Sequence, residues 1–418
     1  MSTDLDLSQN CLAHCEQHSR RKVLGFSAAF AASLLLPARS SLAGARDPRF
    51  LFVILRGALD GLSAVMPVGD PEFAAVRAGF MEDVRQAGAP LPLGPMFALN
   101  PALKTLSTLY AAKQASIIHA VATPYRERSH FDGQEVLESG LPQVTHGDSG
   151  WLNRAVAALP ATAVLSGRGK TGVAVGSTVP LVLRGTVPVL SWSPEHLQPA
   201  SQDTIARLMS LYQARDPALA QALQQAGVIA SETAGMATDG KPKSGRGQDA
   251  MLAMAEGAAK LLARDDGPRI GTLSIDGWDT HAEEKPGTGR LAKMLGTLDA
   301  LFAQLRETLA PVWNDTVIVA ATEFGRTVAI NGTAGTDHGT GTVAFLLGGA
   351  VKGGRVIADW PGLADKALYE KRDLKPTTDL RAVLKPVLAE HLGIDKRELE
   401  TSVFPASAQI AALAGLIG

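Results

Sequence analysis

Short, continuously apolar runs alternate along this chain with segments in which apolar residues recur every three or four positions. A run that is apolar at consecutive positions predicts a strand buried on both faces, as in parallel sheets. Such runs occur at residues 50–55, 116–121, 270–275, 316–321 and 343–347, with further strands and a loop within 172–190. Helical spacing occurs at residues 101–113, 204–225, 247–262, 291–309 and 379–391, the last interrupted at Pro386. The alternation predicts an α/β fold with three α/β/α layers and a mostly parallel central sheet.

The N-terminal segment has the pattern of an export signal. Arg20-Arg21-Lys22 precede an apolar run at residues 25–36, and Ala43-Gly44-Ala45 resembles a cleavage site. Together these features predict a twin-arginine signal peptide at residues 1–45. The apolar run is shorter than the ~20 residues of a membrane span, and the alternatives are an amphipathic cytosolic leader or a retained anchor. We therefore expect a substrate of the twin-arginine export machinery that is periplasmic or secreted, with a single domain at residues 46–418.

The composition argues against three classes: disulfide-stabilised proteins, nucleic-acid-binding proteins and membrane-spanning proteins. Cys11 and Cys15 both precede the paired arginines, so a processed chain would have neither a disulfide framework nor a thiolate metal site. The full chain has a formal charge of −1 and lacks a basic stripe interleaved with aromatics, which argues against nucleic acid as a partner. After the leader no apolar stretch approaches membrane-spanning length, so we expect no membrane span in the mature chain.

Metal-type ligands follow the predicted strands. Ligands in open α/β sheets gather outside the carboxyl ends of the strands. Four such places carry carboxylates or imidazoles: Asp60; Asp276, Asp279 and His281; Glu323; and Asp337 with His338. Each has a simpler interpretation as a turn or loop residue, but their conjunction predicts one divalent-metal site. Mixed oxygen and nitrogen donors suit zinc or manganese, and oxygen-rich sets favour magnesium or calcium.

Ser129 lies at a predicted helix start, between Arg128 and His130. The local sequence favours a helix N-cap. The functional alternative is a nucleophile in the positive end of the helix dipole, where Arg126 and Arg128 would help to hold an anionic ester.

Several motifs resemble a known family. These are Arg56-Gly57-Ala58-Leu59-Asp60-Gly61, Ser129-His130-Phe131-Asp132, Gly277-Trp278-Asp279-Thr280-His281, Thr322-Glu323-Phe324-Gly325-Arg326 and Gly335-Thr336-Asp337-His338-Gly339. In this order they resemble the domain-of-unknown-function family numbered 1501, which is similar to the alkaline phosphatase superfamily with its sulfatases. The resemblance implies an alkaline phosphatase-like fold, two metals at strand ends and a Ser or Thr nucleophile. By analogy Asp60 takes the first-strand ligand position and Ser129 the nucleophile position. Asp279 (or Asp276), His281 and His338 would bind one metal.

One motif departs from the superfamily pattern, because Phe324 stands where a histidine ligand is normal. Glu323 could still bind a metal, and Arg326 could supply positive charge to a substrate oxyanion or to Glu323. The first hypothesis is a metal-dependent hydrolase of phosphate or sulfate esters, acting on an anionic small molecule or polymer. The second is a non-catalytic metal-binding or assembly protein. An oxidoreductase is disfavoured, since no G-x-G-x-x-G follows the first strand.

Overall fold

The computed structural model describes residues 46–160, 172–194, 202–217, 219–220, 223–224 and 247–418. The predicted signal peptide and part of the predicted helix at 204–225 lie outside these residues. Within the described part of the chain, no helix is both long and apolar enough to cross a membrane.

A central sheet organises the fold. The strands are β1 Arg49–Arg56, β2 Val65–Met66, β3 Leu91–Pro92, β4 Ala98–Leu99, β5 Ala115–Ala122, β6 Gly172–Val175, β7 Leu190–Trp192, β8 Ile270–Asp276, β9 Thr316–Ala321, β10 Thr342–Leu347, β11 Arg355–Ile357 and β12 Thr378–Asp379. Among the described residues nine strands form this sheet, in the order β11-β5-β10-β9-β1-β8-β6-β7, with β12 beside β5. β10 is antiparallel to both of its neighbours, and the other pairs in the sheet are parallel. The predicted mostly parallel sheet is confirmed.

Helices cover the sheet on both sides. They are α1 Gly61–Ala64, α2 Phe73–Val76, α3 Ala78–Ala87, α4 Lys104–Ala111, α5 His130–Ser139, α6 Trp151–Ala157, α7 Gln202–Arg215, α8 Gln248–Ala263, α9 Arg290–Thr308, α10 Leu380–Pro386 and α11 Lys396–Glu398. Alternate side chains of β1 point to opposite faces, as the strand period requires. Leu51, Val53 and Leu55 pack with α4, α8 and α9. Phe50 and Phe52 pack with α6 and α10, which confirms the three layers.

The local elements follow the sequence pattern with two additions. The closing helix changes at the predicted position: α10 ends at Pro386, and a π-helical turn, Val387–His391, continues the chain. Pro386 lacks an N–H and so cannot continue the regular helical hydrogen bonding. The small antiparallel sheet of β2, β4 and β3 was not predicted, because two-residue strands leave no periodicity to detect.

Parallel strands bring distant segments to one edge of the sheet. β1 lies between β8 and β9 in parallel register, with Arg56 opposite Asp276 at the carboxyl end. The loops that follow β1, β5, β8 and β9 therefore leave the same edge, and these loops carry the candidate site.

Candidate metal centre

Three histidines and one aspartate converge at this edge. The Nε2 atom of His338 lies 2.9 Å from Nε2 of His130 and 2.9 Å from Nε2 of His281. The Asp279 carboxylate contacts the same atoms, at 3.0 Å from His281 Nε2 and 3.3 Å from His338 Nε2. Potential ligand atoms of His130, Asp279 and His338 all lie within 4.8 Å of one another. The four side chains are partly exposed, so the centre opens to solvent.

Helix α5 positions His130 as its first residue. Ser129 is the N-cap residue, with extended dihedrals of φ −90° and ψ 126°, and its side chain makes no capping hydrogen bond. The Ser129 backbone N–H donates to the Tyr125 hydroxyl at 3.1 Å. The helix ends at Gly140, whose φ of 69° is the left-handed conformation that glycine adopts readily.

Hydrogen bonds to outer partners orient two of the imidazoles. Nδ1–H of His130 donates to Oε1 of the fully buried Glu323 at 2.8 Å, and Nδ1–H of His338 donates to the Arg128 carbonyl at 2.9 Å. Each bond leaves the Nε2 lone pair facing the centre. Metal-binding histidines commonly have this kind of outer hydrogen bond.

Burial and hydrogen bonds shift the pKa values of these groups in different directions. The hydrogen bond to Glu323 raises the pKa of His130, which favours the imidazolium, so a cation would have to compete with a proton for Nε2 of His130. Burial alone would raise the pKa of Glu323, but hydrogen bonds from His130 and its other neighbours outweigh burial and lower it. Burial lowers the pKa of His338, which favours the neutral imidazole. A neutral imidazole and an ionised carboxylate are the protonation states that bind a cation.

Arg326 binds the Asp279 carboxylate from the buried side of the centre. Its buried guanidinium donates from Nη1 to Asp279 Oδ1 at 2.6 Å, from Nε to Thr336 Oγ1 at 3.1 Å, and from Nη2 to the Thr336 carbonyl. Burial would raise the pKa of Asp279, but the Arg326 hydrogen bond and charge outweigh it and lower that pKa. All three guanidinium nitrogens have protein partners, so Arg326 orients Asp279 rather than facing a ligand.

Gly57 joins the ends of β1 and β9. Its N–H donates to Glu323 Oε1 at 2.8 Å. Its φ is +115°, and an added Cβ would lie 2.6 Å from the backbone nitrogen of Asp279. Only glycine satisfies both the conformation and the close approach, and Glu323 is thereby fixed behind His130.

Phe324 forms an apolar wall of the centre. Its ring lies 5.0 Å from the His130 ring, with 30° between the planes, and 5.2 Å from the His338 ring. The residue that departs from the superfamily motif thus packs against two candidate ligands and limits their movement.

The structure brings together most of the predicted site residues. Asp279, His281 and His338 face one another, and Glu323 and Arg326 lie behind them. Asp337 is at the rim, with Oδ1 3.5 Å from His281 Nδ1. The structure leaves Asp276 outside this group, exposed at the end of β8.

Asp60 is also separate from the histidines. It caps α1 by accepting from the Leu62 N–H at 3.1 Å, and it forms a buried ion pair with Arg77. Burial would raise the pKa of Asp60, but the charge and hydrogen bonds of Arg77 hold it at about 2. Arg77 is therefore the partner of the carboxylate that the family resemblance assigns to a metal.

His130 was not among the predicted ligands. The prediction for this segment concerned Ser129, as a helix cap or a nucleophile. The imidazole of the next residue, His130, lies in the centre. The available signal was position: His130 follows β5, which runs parallel to β1, and starts the next helix.

One family model and several solved structures match this chain. The family model described as "Protein of unknown function (DUF1501)" matches residues 110–403 of this chain. No curated protein matches it. Solved structures that resemble this chain include the following three. The phosphonate monoester hydrolase of Agrobacterium radiobacter has 13% identity and a TM-score of 0.39, with 84% of this chain and 74% of that chain covered. A protein in the alkaline phosphatase superfamily from Vibrio parahaemolyticus has 10% identity and a TM-score of 0.35, covering 82% and 71%. A 2-O GAG sulfatase has 12% identity and a TM-score of 0.39, covering 88% and 73%. These similarities are too weak to carry an argument about activity.

Proposed function

This chain belongs to the DUF1501 family of proteins of unknown function, and we propose that it is an exported metal-dependent hydrolase of phosphate or sulfate esters. One observation carries the proposal: three imidazole Nε2 atoms and the Asp279 carboxylate converge where several strands end. Without a cation, the Nε2 lone pairs that face one another across 2.9 Å would repel unless a proton lay between them.

The donor set fits a divalent cation. Nitrogen donors with one carboxylate favour zinc or manganese over magnesium and calcium, which prefer oxygen. The triplet of His130, Asp279 and His338 would leave a coordination position for substrate or water, as in catalytic zinc sites. Each ligand is already held: His130 by Glu323, His338 by the Arg128 carbonyl, and Asp279 by Arg326.

A bound divalent cation supplies Lewis acidity, which polarises an ester oxygen and makes water or a hydroxyl more acidic. The chain's own residues bind and orient the reactants. Arg326 keeps Asp279 ionised, and the amino end of α5 places partial positive charge beside the centre, where it would attract an anionic ester. Ser129 stays a candidate nucleophile because its hydroxyl is not used for capping.

The test combines metal content with turnover. Purified protein is analysed for bound metal and assayed on aryl phosphate and aryl sulfate esters, with and without a chelator. We expect Asp279→Ala to reduce both bound metal and turnover by more than about 100-fold. Asp276→Ala is the matched control, since this exposed aspartate ends the neighbouring strand outside the centre, and we expect it to behave as the parent protein.

Ser129→Ala separates two routes within the proposal. Loss of turnover with normal metal binding would support a serine nucleophile, whereas full turnover would leave attack to water. A protein that binds no divalent metal, or whose turnover survives Asp279→Ala, would contradict the proposal.

A non-catalytic metal-binding protein is the second candidate, and His281 favours it. Its Nε2 lies 2.9 Å from that of His338, so it could complete a closed tetrahedral set with the other three ligands. Closed four-ligand sites are typical of structural zinc. Bound metal without turnover on both ester classes would favour this candidate.

A further inference from the structure

Arg128 has an unusual backbone at the edge of the centre. Its φ is +63°, a left-handed conformation that is uncommon for a residue other than glycine, asparagine or aspartate. In this conformation its carbonyl accepts the Nδ1–H of His338 at 2.9 Å. The orientation of His338 therefore depends on what holds Arg128 in place.

Asp373 holds Arg128 through its side chain. Arg128 Nε donates to Asp373 Oδ2 at 2.9 Å, and its Nη2 pairs with Glu370. The two acids differ in burial, because the Asp373 side chain is fully buried and that of Glu370 is 56% exposed. A buried charge-assisted pair is worth more than an exposed one, which solvent screens.

The same carboxylate also reaches His338 from the other side. Arg372 Nε donates to Asp373 Oδ1 at 2.8 Å, and Arg372 Nη2 donates to the His338 carbonyl at 2.6 Å. Oδ2 of Asp373 therefore binds Arg128, whose carbonyl accepts from the His338 ring. Oδ1 binds Arg372, which donates to the His338 carbonyl.

The backbone of Asp373 is itself anchored. Asp373 and Tyr369 exchange backbone hydrogen bonds, at 2.9 and 3.0 Å. Asp373 also forms a bridge to Thr327, directly after Arg326. The carboxylate thus has a fixed position relative to the segment that orients Asp279.

We propose that Asp373 is a positioning residue for cation binding, which acts through Arg128 and Arg372 on His338. This inference rests on the proposed metal centre and adds a residue that does not itself face the cation. Without the carboxylate, Arg128 would lose the buried restraint on its left-handed backbone. Two guanidinium charges would then also lie near the cation without their shared counter-charge.

The test measures cation affinity in the full chain. Metal-free wild-type protein, Asp373→Asn and Glu370→Gln are titrated with zinc or manganese against a competing chelator, with no substrate present. We expect Asp373→Asn to bind about 10–100-fold more weakly, the range for changes to outer partners of metal ligands. Glu370→Gln removes only the exposed ion pair, and we expect its affinity to stay within about 3-fold of wild type.

A second variant guards against misfolding. Arg372→Gln removes the contact with the His338 carbonyl at a partly exposed residue, and we expect an intermediate loss of affinity. The unfolding temperature of each metal-free variant separates a positioning role from a general loss of stability. Wild-type affinity in a folded Asp373→Asn protein overturns this inference alone, and absence of wild-type binding overturns both it and the metal centre.

Discussion

At the scale of single residues, two buried carboxyl groups show how the fold assigns protonation states. Asp60 is ionised against Arg77, with a pKa of about 2. Glu284 accepts from Thr336 Oγ1 at 2.7 Å, and its other carboxyl oxygen, Oε1, is buried without a hydrogen-bond partner among the described residues. Burial and the charge of Asp60 raise the pKa of Glu284 well above 4.5. Glu284 is therefore the protonated partner.

The two groups change the stability of the fold with pH in opposite directions. Asp60 stabilises the fold above its ordinary pKa of 3.8, and this contribution is lost as pH falls toward about 2. The contribution of protonated Glu284 is complete below 4.5 and is lost as pH rises.

Glu284→Gln should remove the loss of stability that Glu284 causes as pH rises, because a neutral amide cannot ionise. We expect the unfolding temperature of Glu284→Gln to decline less steeply than that of the parent between about pH 5 and 8. Thermal unfolding in a buffer series measures this. Glu283→Gln, at the exposed neighbouring position, is the control and should retain the parent slope. Equal slopes for the parent and Glu284→Gln would show that Glu284 is already ionised in the folded protein.

At the scale of elements, α5 connects the centre to the interior. The first residue of α5 is His130. Gly133 follows one turn later and packs against the ring of Phe324. A Cβ added at Gly133 would lie 2.9 Å from Phe324 Cδ1. Phe324 stacks on His130, so a small change on the buried face of α5 would reach the imidazoles through one aromatic ring.

Gly133→Ala is the corresponding prediction. The added methyl group should displace Phe324, lower stability by about 1–3 kcal/mol through overpacking and weaken cation binding. Gly296→Ala in α9 is the matched control. Nothing lies within 4 Å of its added Cβ, and replacing a mid-helix glycine should stabilise by about 0.5–1 kcal/mol. Chemical denaturation and cation titration of both variants measure the difference, and unchanged affinity in Gly133→Ala would argue against transmission through Phe324.

The elements also show what the sequence could predict. β1, β5, β8, β9 and β10 were predicted because burial on both faces leaves an unbroken apolar run. The direction of β10 was not predictable, since a strand has the same composition whether it runs parallel or antiparallel. At the site, the motifs brought Asp279, His281 and His338 to attention. The pairing of Asp60 with Arg77 depends on a contact that no local pattern encodes.

At the scale of the whole molecule, the centre joins segments far apart in the chain. The candidate ligands lie between His130 and His338, and their outer partners extend from Gly57 to Asp373. Because no single segment supplies all of these groups, the site forms only in the folded chain.

The signal peptide predicted from the sequence can be tested at this scale. Replacing both Arg20 and Arg21 by Lys should block export, and the protein should accumulate folded and with its cation in the cytoplasm. Fractionation of the producing cells, followed by metal analysis of each fraction, measures both results. Replacing Lys22 by Arg is the control and should leave export unchanged. Normal export of the double variant would exclude the twin-arginine route.

The convergence of four strand ends has a practical consequence for dissecting this protein. Any fragment that omits one of these segments lacks either a ligand or the group that orients a ligand. We therefore expect truncated fragments to lose cation affinity altogether, whatever their length. Cation uptake would then serve as an all-or-none marker of completed folding.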